Sequence, residues 1–233
     1  YGYKNKYLAE FNAGYNGSVQ FAEGKRYGFF PAFSLGWVVS EENFWNKDSK
    51  IFDYMKIRGA YGEVGNDKIG SDKYYYLQTY PMLTSNRPSF GIDNNPENRI
   101  YEGKEGNLDV TWERARKLNV GIDMRFFNSK LALTVDAFTE KRVNILDYDR
   151  SISTIYGMLG ATDGNKGFPP QNLGEVRNSG FEIDASFNDR IGKISYYVKG
   201  NMSFARNKVL KKGEEPQTYS WTSAIGRKVG QRF

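Results

Sequence analysis

Nucleophilic and metal chemistry is largely closed to this chain. Its 233 residues include no histidine and no cysteine. That removes the Ser-His-Asp triad, the imidazole base, the thiol nucleophile, His-ligated zinc, iron–sulfur clusters and a disulfide framework. The adjacent carboxylates Glu41-Glu42 and Glu214-Glu215 read as exposed charge rather than as acid/base pairs. Gly91-Ile92-Asp93-Asn94-Asn95-Pro96-Glu97-Asn98 offers oxygen ligands for calcium but lacks the EF-hand spacing, and reads as an Asx-rich turn. Gly62 to Gly65 lacks the Lys-Ser/Thr ending of a phosphate loop. No enzymatic activity, cofactor or metal is expected. The net charge of +6 is spread without a dense Lys/Arg run, so nucleic-acid binding has no support. What remains is recognition by aromatic faces. Tyr74-Tyr75-Tyr76 and the pair Tyr219 and Trp221 are candidates to stack on sugars or on peptide side chains. The same rings also suit packing of a loop against a neighbour or a covering partner.

The elements that must position these residues repeat every two residues. Tyr7, Ala9, Phe11, Ala13 and Tyr15 share one face of a first strand, and Phe33, Leu35, Trp37 and Val39 that of a second. Met55, Ile57 and Tyr61 alternate with Lys56 and Arg58 in a third. The fourth is the cleanest: Leu118, Val120, Ile122, Met124 and Phe126 against Asn119, Gly121, Asp123 and Arg125. Leu131, Leu133, Val135 and Ala137 alternate with Thr134 and Asp136 in a fifth. Phe181, Ile183, Ala185 and Phe187 alternate with Glu182, Asp184 and Ser186 in a sixth. Tyr196, Val198, Met202 and Phe204 alternate with Lys199, Asn201 and Ser203 in a seventh. Seven such segments make an all-β chain.

The connections add direction. Phe127 to Lys130 and Asn188 to Gly192 read as tight turns, and Ser40 to Trp45 as a helical turn with Ser40 as N-cap. The links from about Gly65 to Leu108 and from about Arg142 to Glu175 are long for a compact soluble domain. Alternating short and long links are ordinary in an outer-membrane barrel, with short turns inside and long loops outside. Mean hydropathy is −0.66, and no stretch approaches the roughly 18–20 apolar residues of a spanning helix. Leu118 to Phe126, tilted by about 40°, covers roughly 20–25 Å of membrane normal. Alternation alone leaves open whether the apolar face looks into a core or onto lipid. Loop asymmetry, aromatic strand ends and a charged opposite face favour lipid. On that reading Trp37, Leu118, Val120, Ile122, Met124, Phe126, Phe181, Phe187, Tyr196 and Phe204 face lipid or form interfacial girdles. Asp123, Arg125, Asp136, Glu182, Asp184 and Lys199 line a polar lumen, where they meet a plug or solute or pair across strands. A secreted, aromatic-rich β-sandwich binding carbohydrate and a passive porin or adhesin barrel are the alternatives.

Six motifs in order resemble the SusC/RagA group of TonB-dependent outer-membrane transporters of Bacteroidetes. Tyr27-Gly28-Phe29-Phe30-Pro31-Ala32-Phe33-Ser34-Leu35-Gly36-Trp37 resembles that family's strand, followed by Ser40-Glu41-Glu42-Asn43-Phe44-Trp45. Lys56-Ile57-Arg58-Gly59-Ala60-Tyr61-Gly62-Glu63-Val64-Gly65-Asn66-Asp67 comes next. Asn107-Leu108-Asp109-Val110-Thr111-Trp112-Glu113, leading into Asn119-Val120-Gly121-Ile122-Asp123, is similar as well. So are Asn172-Leu173-Gly174-Glu175-Val176-Arg177-Asn178-Ser179-Gly180-Phe181-Glu182 and Asn201-Met202-Ser203-Phe204-Ala205-Arg206-Asn207-Lys208-Val209.

The resemblance implies about seven strands of a barrel of about 22, in the cell outer membrane. It implies active import of a large nutrient, a glycan oligomer or a peptide. It also implies a SusD-like surface lipoprotein and the TonB–ExbB–ExbD energy complex as partners. Residues 1–233 are then expected to be an internal part of the barrel domain, with plug, signal peptide and remaining strands elsewhere, and Phe233 a truncation point.

Overall fold

The computed structural model describes residues 1–46, 49, 51–69, 73–83, 89–92, 95–100, 103, 105–151 and 169–231. Its strands are β1 (Gly2–Tyr3), β2 (Tyr7–Gly17), β3 (Tyr27–Val38), β4 (Phe52–Asn66), β5 (Met82–Leu83), β6 (Ser89–Phe90), β7 (Asn95–Pro96), β8 (Arg99–Ile100), β9 (Glu113–Phe126), β10 (Leu131–Asp147), β11 (Gln171–Ile191) and β12 (Ile194–Lys211). Eight of them form one antiparallel sheet in the order β1-β2-β3-β4-β9-β10-β11-β12. The pairs β5–β8 and β6–β7 are small hairpins inside the β4–β9 connection. Among the described residues no helix is long and apolar enough to cross a membrane, which says nothing of strands.

The seven alternating segments are the seven long strands, and neighbouring strands keep register so that faces match across the sheet. Ile57, Ile122, Val135, Ile183 and Met202 form one row, and Lys56, Asp123, Thr134, Asp184 and Asn201 form the adjacent row on the opposite face. The apolar face is left open: no residue of the Ile57 row is buried, and Phe11 is 65% and Val198 64% accessible. No second sheet covers this face among the described residues, so the β-sandwich alternative has no second layer.

Three local expectations are corrected. The last hairpin is tighter than a turn over Asn188 to Gly192: β11 runs through Ile191, leaving Gly192 and Lys193, with Gly192 at φ +62. Paired main chain carries the strand past the end of the apolar signal. Secondly, β10 and β11 extend to Asp147 and back to Gln171. A bulge with Asn144 at φ 59 lets β10 continue beyond Arg142. Thirdly, Ser40 does not cap a helical turn. A 3₁₀ turn spans Val39–Glu41, and its N-cap position is Val38. Val38 and Val39 are buried, and Val38 N–H bonds Lys6 O at 2.7 Å, so the chain turns inward before Ser40.

Phe127, Asn128 and Ser129, at φ 57, 55 and 61, make the β9–β10 turn left-handed. Such a turn matches the twist of a hairpin. Asp53 Oδ2 accepts the Ser129 N–H at 2.7 Å and holds it.

Candidate functional site

The charged face is built from the even residues of β4, β10 and β11 and the odd residues of β9 and β12, brought level by register. Arg58 on β4 is its centre. Its Nη2 donates to Asp136 Oδ2 at 2.6 Å, its Nε to Asp123 Oδ2 at 3.2 Å, and its Nη1 to Asn119 Oδ1 at 3.3 Å. Thr134 Oγ1 donates to Asp123 Oδ1 at 3.2 Å. Gly121 lies beneath: a Cβ there would come within 2.6 Å of Asp136 Oδ1 and 2.7 Å of Arg58 Cζ. The glycine of that strand motif therefore makes room for one planar cation to bridge two carboxylates. Asp136 Oδ1 is buried without a partner among the described residues.

Two recesses flank this cluster. One, of about 550 Å³, is lined by Glu10, Ser34, Lys56, Arg58 and Asn119 among others. The second, of about 320 Å³, is lined by Thr134, Asp136, Glu182, Asp184, Asn201 and Ser203 among others. Lys199 Nζ pairs with Asp184 Oδ2 at 3.1 Å. Arg125 stands apart, its guanidinium 5.2 Å above the Tyr54 ring. The structure thus brings Asp123, Asp136, Glu182, Asp184 and Lys199 onto one continuous surface. Sequence reasoning left out Arg58, although its alternation with Ile57 placed it on the polar face.

On the other face lie Trp37, Leu118, Val120, Ile122, Met124, Phe126, Phe181, Phe187, Tyr196 and Phe204, each in a row with apolar neighbours or at a row's end. Phe181 and Phe204 rings lie 5.8 Å apart, Phe187 and Tyr196 6.2 Å. Phe52 stacks on Phe126 at 4.7 Å. At the short-turn end Glu42 ties the rim. Tyr7 OH donates to its Oε1 at 2.6 Å, Lys6 Nζ to its Oε2 at 3.0 Å and Trp37 Nε1 to its Oε1 at 3.1 Å. These donors hold its carboxyl at about 2, well below the ordinary 4.5.

The long-loop end holds a compact hydrophobic cluster of Phe21, Phe30, Ile69, Tyr75, Val110 and Trp112. The β3–β4 ladder stops at Ala32 and Gly62, and the Phe30 ring fills the opening beyond. A Cβ on Gly65 would reach within 2.0 Å of that ring and one on Gly28 within 2.4 Å. Trp112 Nε1 donates to Arg26 O at 3.1 Å. Asn172 staples the next layer: its Nδ2 donates to Thr111 O at 2.9 Å and Asn144 O at 2.7 Å, and its Oδ1 accepts Thr111 N–H at 2.8 Å.

The candidate aromatics separate accordingly. Tyr75 points into the cluster and is buried, whereas Tyr74 is exposed with its ring 6.3 Å from that of Tyr76. Tyr219 and Trp221 stack at 4.5 Å, nearly parallel, and both are exposed. Glu214 frames their loop. Burial pushes its carboxyl up, but hydrogen bonds from Ser223 Oγ and the Ala224 and Ile225 amides outweigh this and hold it below the ordinary range. Of the Asx-rich turn, Asp93 and Asn94 lie outside the described residues, and its flanks pair as β6 and β7. Gly62 to Gly65 lies within β4.

Comparison with known proteins agrees with this architecture. The family model "TonB dependent receptor-like, beta-barrel" matches residues 3–230. TonB-dependent receptor P39 of Formosa agariphila is 30% identical over 236 residues, covering 100% of this chain and 21% of that protein. TonB-dependent receptor SusC of Bacteroides thetaiotaomicron is 28% identical over 212 residues, covering 91% of this chain and 20% of that protein. The RagAB peptide importer in its closed-closed state superimposes with a TM-score of 0.72 at 19% identity, over 95% of this chain and 23% of that one. The chain thus spans about a fifth of the length of the curated relatives it matches. With the match running nearly end to end along a single antiparallel wall, the chain belongs to the TonB-dependent receptor β-barrel family of the outer membrane.

Proposed function

We propose that this chain is an internal stretch of the barrel of a TonB-dependent transporter that imports a nutrient oligomer, a glycan or a peptide. One observation carries the reading. A single-layer sheet presents an exposed apolar face and a hydrogen-bonded charged face, with the tight β9–β10 and β11–β12 turns at one end and the long β4–β9 and β10–β11 connections at the other. On this reading the apolar face lies against lipid, since apolar surface of this extent is not left in water. The Arg58 face looks into the lumen, and the recesses beside it border the solute's path or the plug. Plug, signal peptide and the segment contacting TonB–ExbB–ExbD belong to other parts of the parent polypeptide.

The long-loop end meets solute and a SusD-like lipoprotein lid, with Tyr74, Tyr76, Tyr219 and Trp221 as the aromatic contacts. Stacked, exposed rings suit both sugar faces and peptide side chains. The test is uptake of labelled oligosaccharides and oligopeptides by cells carrying the full-length transporter. Loss of TonB abolishes uptake of the true solute class. The Tyr219→Ala/Trp221→Ala pair lowers it at least tenfold with an unchanged amount of barrel in the outer membrane. Uptake indifferent to both changes overturns the reading.

A further inference from the structure

On the face assigned to lipid, the apolar band gives way toward the long-loop end, and one row beyond it carries a cation on each of four neighbouring strands. Glu63, Arg116, Lys141, Arg177 and Lys208 stand opposite one another on β4, β9, β10, β11 and β12. Residues directly opposite in a ladder share a face. One row toward the short turns the same face carries Tyr61, Leu118, Thr139, Ser179 and Arg206. The row after that is Gly59, Val120, Ala137, Phe181 and Phe204, without a charge. At about 4.8 Å per strand the four cations span roughly 14 Å, on the long-loop side of the band.

The nearby carboxylates are already shared. Glu63 binds Arg114 at 3.0 Å and Arg116 at 3.2 Å, and Glu175 binds Lys141 and Lys211 at 2.7 Å each. Arg177, Arg206 and Lys208 are exposed and make no ion pair among the described residues. The short-turn end differs: there Lys6 pairs with Glu42 at 3.0 Å and Lys130 with Asp189 at 2.7 Å. Lys4 and Lys193, in the turns at that end, also make no ion pair among the described residues; the long-loop border differs in grouping its free cations, Arg177, Arg206 and Lys208, on the neighbouring strands β11 and β12.

Unpaired guanidinium and ammonium groups directly above apolar side chains complement a molecule that is anionic above and greasy below. Arginine forks match phosphate oxygens, and a basic cluster at a membrane border attracts anionic headgroups. We propose that this row binds the phosphate-bearing headgroup of an outer-leaflet lipid. Its acyl chains run down over Val120, Phe181, Phe204 and Met202. The hydroxyl pair of Thr139 and Ser179, 2.8 Å apart, lies at the level where headgroup meets chain. The proposal rests on the lipid-facing assignment of this face.

The test uses the full-length transporter in detergent. It is mixed with micelles containing diphosphoryl lipid A or the same lipid after phosphatase treatment, and retained lipid is counted by native mass spectrometry. The wild type retains the phosphorylated lipid at least tenfold better. The triple variant Arg177→Gln/Arg206→Gln/Lys208→Gln loses that preference, Arg177→Lys/Arg206→Lys keeps it, and Lys199→Gln on the opposite face leaves it unchanged. Equal retention of both lipids, or an unchanged preference in the triple variant, overturns the proposal. Displacement by inorganic phosphate alone assigns the row to a soluble anion and overturns it too. A Met202→Cys variant separates the headgroup site from the orientation of the face. If it stays shielded from a water-soluble maleimide while the preference fails, only the headgroup site is refuted. If it reacts freely, the lipid-facing assignment itself fails.

Discussion

Replacing Trp112 with alanine should open the long-loop end while leaving the barrel wall closed. Trp112 is 5% exposed, and its ring lies 5.3 Å from both Phe21 and Phe30. Truncating a buried tryptophan costs about 3–5 kcal/mol through lost transfer energy and the remaining cavity. The Nε1–H bond to Arg26 O disappears as well, for roughly 1 kcal/mol. The ladders of β9 with β4 and β10 do not depend on this side chain, so the loss falls on local opening. At about 1.4 kcal/mol per tenfold, the combined loss of about 4–6 kcal/mol raises the open population on the order of 1,000- to 10,000-fold.

Two amides report it: Asn107 N–H, bonded to Tyr75 O at 2.8 Å, and Thr111 N–H, bonded to Asn172 Oδ1 at 2.8 Å. Hydrogen exchange of the full-length protein should speed up at these positions by roughly that factor, with residues 118–126 unchanged. Trp112→Phe keeps an aromatic ring but removes the donor, and its effect should be about tenfold. Unchanged exchange over 107–111, or equal acceleration along β9, would refute the assignment of this cluster as the local fastener of the loops.

The same geometry sets three further outcomes. Glu42 has a depressed pKa, so its stabilisation is complete above about 4.5 and is lost as pH falls through about 2; the Trp37 emission, taken as the difference from Trp37→Phe, should titrate near the lower value, and a midpoint near 4.5 would contradict the knot. Gly180→Ala puts a Cβ 2.2 Å from Phe204 O, so main chain must move, at about 1–3 kcal/mol or more. Gly121→Ala meets only side-chain ends, so the heat-modifiable folded band should weaken for the first and persist for the second. Arg58→Ala should lower the unfolding midpoint, and Asp136→Asn should recover part of the loss; a double-mutant cycle should give a coupling of about 1–2 kcal/mol, and additive effects would dissolve the cluster.

The period-two pattern made the wall legible because one face is apolar over its full height, as Leu118 to Phe126 show. It faded where both faces turn polar. Gln171 to Ser179 carries no apolar alternation, yet it is strand, because ladder hydrogen bonds and the Asn172 staple hold it. Ser40 looked like a cap because its side chain suits one, but burial of Val38 and Val39 decided where the chain turns. Arg58 was visible as a polar-face residue, but its role depends on β9 and β10 bringing Asp123 and Asp136 beside it, 65 and 78 residues away in sequence. Phe21 is fully buried in a nine-residue connection that shows no periodicity. Tyr75 differs from its neighbours Tyr74 and Tyr76 only through loop packing, which composition does not encode.

The central claim, lipid on one face and water on the other, has a direct test in a cysteine scan. The chain has no cysteine of its own. Single cysteines at 118 to 126 on β9 and 196 to 204 on β12, placed in a cysteine-free form of the full-length protein in native outer membrane, are spin-labelled. Their collision rates with oxygen and with a water-soluble nickel chelate are then compared. Strict alternation is predicted, with 118, 120, 122, 124, 198, 202 and 204 reached by oxygen and 119, 121, 123, 125, 199, 201 and 203 reached by the chelate. Chelate access on both faces, or an inverted alternation, would contradict it.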